Sequence, residues 1–368
     1  MALKYRILLL GCVFLIIFAA INILNVFPLP KDDILKEKTT EFSGVLRLWI
    51  SEENSPASQG LSSWLTKEST RFEKKHDGVY VQITPVSRET LSSFSYAAEL
   101  PPDMIVFSPG MLESAQGLIQ IEIPSVLREE FLGSASDFSV PIAMGASFWA
   151  VREGIDPPLT GKTLLFEKKL SHAALYALRQ DLSEKQSPGM QYGVDLGLPL
   201  YEEEENIIMK DAGEIRPGTE SRILENSYLS FIKGEGDAVF LSQKELLLLI
   251  NASAAPEIEI AATGEIYIDQ LALFAVTDTK SGEGRKMCEA FLHHLLSEDA
   301  QKRLETTKAF SVTGVQLYAG KTHFQEIEML LSGAKIHPAP AFSEESPNTE
   351  NLLTSVLRGD RRIADILP

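Results

Sequence analysis

Short apolar runs alternate with amphipathic stretches over the first part of the chain that follows an apolar N-terminus. The segment "LSSWLTKESTRFEKKH" places its large apolar residues on one helical face, with Lys and Glu elsewhere. The segments on either side of it have the length and composition of strands. The predicted order is strand, helix, strand, helix, strand, over residues 44–50, 61–76, 77–86, 88–100 and 104–107. Strands joined in this way predict a parallel sheet with right-handed crossovers, and therefore an α/β fold.

The stretch "ELPPDMIVFSPG" (residues 99–110) marks where this sheet meets a loop. Its two prolines end the preceding helix, and Met104–Phe107 is the fully buried strand that a parallel sheet contains. We interpret Asp103 as a residue of the turn at the strand start. In open α/β sheets, ligands meet the loops at the carboxyl ends of the strands. Ser51–Asn54 and Ser108–Met111 are both such loops, which is the first positional indication of a site.

The remainder of the chain continues the mixture of strands and helices. Residues 138–155 form another apolar unit, whereas residues 156–220 are rich in Pro, Gly and acidic side chains. Within them, "YEEEEN" (201–206) is interpreted as a solvated loop or helix end, because consecutive carboxylates cannot all point at one cation. The further predictions are a helix, glycine turn, strand and helix over 226–250, two strands over 257–278, one long amphipathic helix over 281–305, and a helix in 348–368.

The N-terminus carries an uncharged run of 24 residues, Ile7–Pro30. About 20 apolar residues span a bilayer, and the preceding Lys4 and Arg6 predict that the body lies outside the membrane. An uncleaved anchor helix over residues 1–30 is the first prediction, followed by a polar stalk over 31–43. A lipoprotein with Cys12 acylated in "LLGC" and a cleaved signal peptide are the alternatives, although Phe18-Ala19-Ala20 is a poor cleavage site.

Charge and cysteine content narrow the class of protein. The formal net charge of −17 argues against nucleic acid and anionic lipid as partners. Cys288 is the only cysteine beyond the N-terminal run, so no disulfide forms within the body.

The sequence lacks the motifs of the common catalytic and cofactor sites. The histidines do not form HExxH or a Cys/His metal motif, and His293-His294 is expected to be an ordinary surface and core pair on a helix. "GIDPPLTGKT" lacks the first glycine of a phosphate-binding loop, and no G-x-S-x-G elbow occurs. We therefore predict no catalytic residue, no metal and no cofactor, and expect that the protein is not an enzyme.

The order of the sequence segments resembles that of the extracellular solute-binding proteins of ABC transporters, in their carbohydrate-binding branch. The matching segments are "GVLRLWISEE", "WLTKESTRFEKKHDGVYVQITPV", "AAELPPDMIVFSPG", "FSVPIAMGASFWAVREGI", "FIKGEGDAVFLSQ", "EAFLHHLLSEDAQKRLE" and "LLTSVLRGDRRIADIL". The resemblance spans residues 44–367. Each segment is loose, and their order is more specific than any one of them.

This resemblance implies a two-lobe, type II periplasmic-binding-protein-like α/β fold behind the N-terminal transmembrane helix. Lobe 1 would comprise residues 44–144 and 267–312, and lobe 2 residues 145–266 and 313–368. The chain would enter lobe 2 near Pro141–Phe148, return near Ile266–Ala272, and cross a last time after Ala309–Val315. A cleft between the lobes would close on a ligand by a hinge motion.

The resemblance also implies which positions line that cleft. The residues carried over as ligand-binding are Glu52, Glu53, Asn54, Ser108, Pro109, Gly145, Trp149, Ser242, Gln243, Asp269 and Phe342. The sequence departs from the family where "LSQKE" replaces a tryptophan after "GEGDAVF", and sugars stack on such aromatic rings. Trp64 is assigned to a helix core and Trp49 to a buried strand, whereas Trp149 is either a ligand contact or a packing residue.

The function implied is capture of a small-molecule solute, with a carbohydrate as the first expectation, for an ABC permease in the same membrane. The body would lie on the extracytoplasmic side, anchored to the cell membrane. The alternative is the same fold used as a sensor-coupled or ligand-less envelope interaction protein.

Overall fold

In a computed structural model of the chain, the described residues are 42–56, 60–94, 100–132, 136–155, 162–167, 173–174, 200–203, 206–210, 220–224, 226–254, 256–261 and 265–343. The described residues from Ser43 onward belong to one compact unit. The predicted anchor with Cys12, the stalk up to residue 41 and the helix predicted in 348–368 lie outside the described residues. Within the described part, no helix has both the length and the apolar character needed to cross a bilayer.

The described elements alternate in the manner of an α/β fold. The strands are β1 (Gly44–Ile50), β2 (Val79–Pro85), β3 (Met104–Phe107), β4 (Val140–Met144), β5 (Ser147–Arg152), β6 (Thr163–Glu167), β7 (Leu200–Glu203), β8 (Asn206–Lys210), β9 (Glu220–Leu224), β10 (Ala238–Ser242), β11 (Ile258–Ala261), β12 (Glu265–Ile268), β13 (Leu271–Val276) and β14 (Lys335–Pro338). The helices are α1 (Leu61–Glu73), α2 (Arg88–Ser92), α3 (Glu129–Leu132), α4 (Ser227–Ile232), α5 (Gln243–Ile250), α6 (Gly282–Leu295), α7 (Glu298–Lys302) and α8 (Thr322–Gly333), with a 3₁₀ helix at Arg303–Thr307.

The first sheet contains the predicted parallel unit. Its order is β2-β1-β3-β13-β4, in which β1 is parallel to β2 and β3, and β13 is antiparallel to β3 and β4. All four residues of β3 are buried, as the apolar run predicts. Helix α1 buries Leu61, Trp64, Leu65 and Phe72, which confirms the predicted apolar face.

Asp103 has a larger structural role than that of a turn residue. Its side chain is almost wholly buried, and Oδ2 accepts a 2.8 Å hydrogen bond from the backbone N–H of Arg47. Its Oδ1 accepts one of 2.9 Å from the Thr279 hydroxyl. The carboxylate therefore holds the start of β3 to β1 and to the segment that follows β13.

The second sheet has seven strands among the described residues, in the order β11-β5-β10-β6-β9-β8-β7. Strands β7 and β8 form an antiparallel pair, with Tyr201 opposite Ile208 and Glu203 opposite Asn206. The prediction of a loop or helix end for "YEEEEN" is therefore wrong at Tyr201–Glu203 and Asn206. Strand β7 is the last in this sheet, and charged residues are common on edge strands because they discourage pairing with another chain.

Two further element predictions need correction. Residues 257–278 contain three strands, because the glycine-containing segment before β12 separates β11 from it, and β12 pairs with β14 in a small sheet of its own. The long helix predicted over 281–305 ends at Leu295. Ser297 begins the next helix, its hydroxyl accepting from the Ala300 N–H as an N-cap.

Three backbone segments lie where the two sheets meet. Strands β4 and β5 belong to different sheets and are separated only by Gly145–Ala146. Asp269–Gln270 separates β12 from β13 on the way back, and the Gly145 N–H donates to the Gln270 carbonyl at 2.7 Å. Phe310 exchanges two backbone hydrogen bonds with Met144, of 2.7 and 3.0 Å. These contacts place the three segments side by side.

Candidate functional site

The loops after β1 and β3 are joined at the carboxyl ends of the first sheet. Ser108 is buried, and its hydroxyl donates a 3.0 Å hydrogen bond to the Glu53 carbonyl. The Glu53 carboxylate accepts one of 3.3 Å from the backbone N–H of Arg88, at the start of α2. These bonds hold the two loops together as one surface. The Ser108 hydroxyl is already engaged as a hydrogen-bond donor to the neighbouring loop.

Three consecutive polar residues of the first loop are exposed: Glu52, Glu53 and Asn54. Glu52 Oε1 accepts from the Ser62 N–H at 2.8 Å and so satisfies a donor in the first turn of α1, where the N-cap Gly60 has no side chain. Asn54 has φ of 54°, the left-handed region that asparagine tolerates better than most residues. The loop therefore presents carboxylate and amide groups to solvent from a fixed turn.

The loop after β3 is covered from its other side by the segment that follows β14. The rings of Phe107 and Phe342 stack with their centroids 6.3 Å apart, and the Gly110 N–H donates to the Ala341 carbonyl at 3.0 Å. Phe342 is buried, whereas Pro109 is half-buried at the edge of this contact. The buried Phe342 ring thus supports this loop by packing against Phe107.

Across the hinge, the predicted residues Ser242 and Gln243 begin helix α5. Ser242 is the N-cap of a capping box, in which its hydroxyl accepts from the Glu245 N–H and the Glu245 side chain accepts from the Ser242 N–H. Gln243 is wholly buried, and its Nε2 donates to the carbonyls of Pro56 and Lys308. One predicted residue therefore caps a helix, and the other contacts the loop after β1.

Gly145 lies at the closest approach of these segments. A Cβ atom added there would stand 3.2 Å from the Cα of Pro56 and 2.8 Å from Oε1 of Gln270. The absence of a side chain is therefore required by packing at the crossover.

Trp149 lies in the interior of the second sheet. Only 3% of its surface is exposed, and its ring makes edge-on contacts with Phe166 and Phe240, with centroids 5.1 and 5.2 Å away. Of the two roles left open by the sequence, this placement favours packing. Among the chain's three tryptophans, Trp49 alone keeps partial exposure.

Asp269 lies on the returning segment and is half-buried. Its Oδ2 accepts a 3.1 Å hydrogen bond from the Ala173 N–H. Burial and, secondly, the charge of Asp269 raise the pKa of the neighbouring Tyr267 above its ordinary value. Tyr267 consequently stays protonated and neutral at all physiological pH values.

The structure adds residues that the sequence did not single out. Ser51 directly follows β1, and its buried hydroxyl has no hydrogen-bond partner among the described residues. Arg88 donates from Nη2 to the Gly110 carbonyl at 3.2 Å and so bridges the region of α2 and the loop after β3. The position of Ser51 at a strand's carboxyl end was a usable signal, whereas nothing local marks Arg88, Pro56 or Lys308.

The arrangement offers hydrogen-bonding groups beside the crossover between the two sheets. No cluster of His, Cys, Asp or Glu suited to a metal ion occurs within the described ranges. The exposed carboxylates and amide of the first loop would suit hydroxyl or amine groups of a solute.

No family model matches the chain, and no curated protein matches its sequence. Solved structures do match. An extracellular solute-binding protein from Bordetella parapertussis aligns at a TM-score of 0.57 and 14% identity, over 85% of this chain and 96% of that one. This chain has the fold of the ABC-transporter solute-binding proteins. The predicted resemblance is thereby confirmed at the level of fold.

Other neighbours with this solute-binding-protein fold include structures with sugars bound. An ABC substrate-binding protein from Listeria monocytogenes in complex with cycloalternan has a TM-score of 0.54 at 11% identity, covering 88% of this chain and 96% of that one. Maltose-bound MalE3 of T. maritima has a TM-score of 0.55 at 13% identity, covering 88% and 97%. Of the three neighbours, the first two are named as binding proteins, and the third is named as maltose-bound.

Proposed function

We propose that this chain captures a small solute between two lobes, outside a cell membrane, and delivers it to an ABC permease. The observation that carries the proposal is the crossover between the two sheets. Neighbouring strands β4 and β5 lie in different sheets with only Gly145–Ala146 between them, and two more segments pass beside this crossover. A hinge of a few residues at such a point lets two lobes close around a ligand.

The proposed lobes follow the two large sheets. Lobe 1 is residues 44–144 and 267–312, and lobe 2 is residues 145–266 and 313–368. The strands of the first sheet come from the former ranges and those of the seven-stranded sheet from the latter. Ligand capture requires both lobes to contribute contacts, since only then does binding favour the closed form.

The proposed solute contacts are the residues that remain accessible at the carboxyl ends of the first sheet. They are the exposed Glu52, Glu53 and Asn54, with the half-buried Pro109. Ser242, at the start of α5, and Asp269, on the returning segment, would face these residues from the side of the crossover. Ser108, Trp149, Gln243 and Phe342, also predicted as contacts, would instead support the site, because their side chains are buried as well as engaged by packing or hydrogen bonds within the protein.

A carbohydrate is the first candidate solute. The support comes from solved neighbours named for maltose and cycloalternan, and from the carboxylates of the first loop, which can accept from sugar hydroxyls. Against it stands the burial of Trp64 and Trp149, whose rings are not accessible for stacking on a sugar.

The direct test is thermal unfolding of the full chain in detergent, in the presence of monosaccharides and oligosaccharides, with amino acids, polyamines and anions as comparison classes. A solute at 100 times its Kd should stabilise the protein by about 2.7 kcal/mol, which raises the Tm by several degrees. A shift with sugars alone supports the carbohydrate proposal. No shift with any class would contradict solute capture and support the ligand-less alternative.

The membrane part of the proposal rests on the uncharged run Ile7–Pro30. As an anchor, this run would hold the body close to the membrane that contains the permease. A permease gene beside this one would support transport, and a sensor kinase gene would support the sensor alternative.

A further inference from the structure

The side-chain amide of Gln243 joins segments of both proposed lobes. Gln243 is the first residue of α5, beside the seven-stranded sheet, and none of its surface is exposed. Its Nε2 donates to the carbonyl of Pro56, in the loop after β1, and to that of Lys308 at 2.8 Å. Its Oε1 accepts from the N–H of Ala146, in the crossover, at 3.2 Å.

These bonds use the donors of the amide completely. A glutamine side chain has two N–H donors and one carbonyl acceptor, and here both donors have partners within the protein. A solute could contact this amide only by displacing Pro56 or Lys308. Gln243 therefore does not have the free groups that the resemblance assigns to a ligand contact.

The surroundings of Gln243 are close-packed and conformationally restricted. Its backbone N–H donates to the Ala146 carbonyl at 3.0 Å, so backbone and side chain both hold the crossover. Gly145 leaves no room for a Cβ against Pro56. Lys308 has φ of 65°, in the left-handed region, which is costly unless surrounding contacts hold it.

We propose that Gln243 is a pivot that sets the separation of the two lobes before any solute binds. It holds the loop that carries Glu52–Asn54 at a defined distance from the start of α5, and it does so without touching the solute. The proposal rests on the two-lobe function above but concerns the unliganded protein.

The energetic reason is the cost of unpaired polar groups. If the amide is removed, the carbonyls of Pro56 and Lys308 and the N–H of Ala146 lose partners in a buried place. Water can satisfy these groups only if the loop after β1 moves away from the crossover. Loss of the amide is therefore expected to shift the unliganded chain towards greater lobe separation.

The test compares Gln243→Met with the matched variant Gln301→Met. Methionine keeps most of the volume and removes the donors. Gln301 is also wholly buried, and its Nε2 donates to Ile142 and Leu295, both at 3.0 Å. All these partners belong to the proposed lobe 1, so this variant loses comparable hydrogen bonds without affecting contacts between lobes.

The measurement is the distance between spin labels on exposed Lys233→Cys in lobe 2 and Lys286→Cys in lobe 1, in the full chain carrying Cys12→Ser and without solute. Cys288 stays unlabelled, because burial raises the pKa of its thiol to about 12. We expect Gln243→Met to broaden the distance distribution towards longer values, and Gln301→Met to leave it unchanged.

Hydrogen exchange supplies a second readout. The Ala146 amide loses its acceptor in Gln243→Met and should exchange roughly fivefold to tenfold faster than in Gln301→Met. If Gln243→Met does not fold, Gly145→Ala is used as the substitute variant. The added Cβ would crowd Pro56 and push it away from its contact with Gln243.

A folded Gln243→Met chain with the parent's distance distribution and Ala146 exchange rate would overturn the proposal. The outcome does not depend on whether a solute is found, since every measurement is made without one. A chain that shows the pivot but binds none of the screened solutes would keep this inference and contradict only the proposed capture function.

Discussion

At the scale of single residues, the burial of Trp149 distinguishes between two roles, contact with a ligand and packing in the core. Trp149 stands next to a predicted ligand segment in sequence, yet the residues on either side of it in β5, Phe148 and Ala150, are buried, and its ring contacts Phe166 and Phe240. A strand covered on both faces leaves no side open to a cleft. The ring therefore contributes to the core of the second lobe.

We predict that Trp149→Ala lowers the free energy of unfolding by about 3–5 kcal/mol, because it removes a large buried ring and leaves a cavity. Urea unfolding at neutral pH measures the change. The matched control is Trp49→Ala, where the half-exposed ring should cost less. If Trp149→Ala unfolds with the parent's midpoint and only weakens solute binding, then Trp149 is a ligand contact and the packing role is wrong.

At the scale of elements, one buried carboxylate joins three helical segments of the first lobe. Glu68 of α1 is fully buried, and both its oxygens accept 2.8 Å hydrogen bonds from Arg303 of the 3₁₀ helix. Arg71 contacts Oε1 at 2.8 Å, and Nε2 of His294, at the end of α6, lies 3.3 Å from Oε2. The negative charge of the Glu68 carboxylate is therefore balanced by the cationic and polar groups around it.

Burial and the neighbouring polar and cationic groups have opposite effects on the pKa of Glu68. Burial alone would raise the pKa, but the polar contact with His294, the hydrogen bonds from Arg303 and the charges of Arg303 and Arg71 outweigh it and lower the pKa from 4.5 to about 2. Because the folded pKa is depressed, the charged form stabilises the fold above pH 4.5. That contribution is lost as the pH falls from 4.5 towards 2.

We predict that Glu68→Gln destabilises the protein at pH 7 by on the order of 3 kcal/mol, since it leaves the partners of a buried ion pair uncompensated. Denaturant unfolding should show the difference from the parent narrowing between pH 4.5 and pH 2. Glu298→Gln is the control, because Glu298 pairs with Lys302 on an exposed helix face and should have no measurable effect. An unchanged midpoint for Glu68→Gln at pH 7 would contradict the role assigned to this carboxylate.

The elements also show where sequence patterns suffice and where they do not. Strand β1, helix α1 and strand β3 are predictable because their apolar periodicity is strong and local. The break at Ser297 was missed because the apolar periodicity continues across it, and only the cap ends the helix. Helix α8 was not predicted at all, and strands β7 and β8 were concealed by the charges that an edge strand tolerates.

At the scale of the whole molecule, the two-lobe fold was predictable from the order of segments, whereas the site was only partly so. The loops at the carboxyl ends of β1 and β3 follow from topology alone. The role proposed for Gln243 does not, because it depends on Pro56 and Lys308, which are far from Gln243 and from each other in sequence. Side chains that hold a hinge are polar like those that hold a ligand, so their sequence signatures coincide.

The proposed attachment to the membrane gives the last prediction for the whole chain. An uncharged run of 24 residues is about 36 Å long as a helix, enough to cross the roughly 30 Å apolar layer of a bilayer. We predict that the full chain stays in the membrane fraction after alkaline extraction and that Cys12→Ser does not release it. Mass spectrometry of the extracted protein should then show an uncleaved N-terminus without an acyl group. A mature chain that begins at an acylated Cys12 would instead establish the lipoprotein alternative, because two or more acyl chains can hold a body of this size at the membrane without a spanning helix.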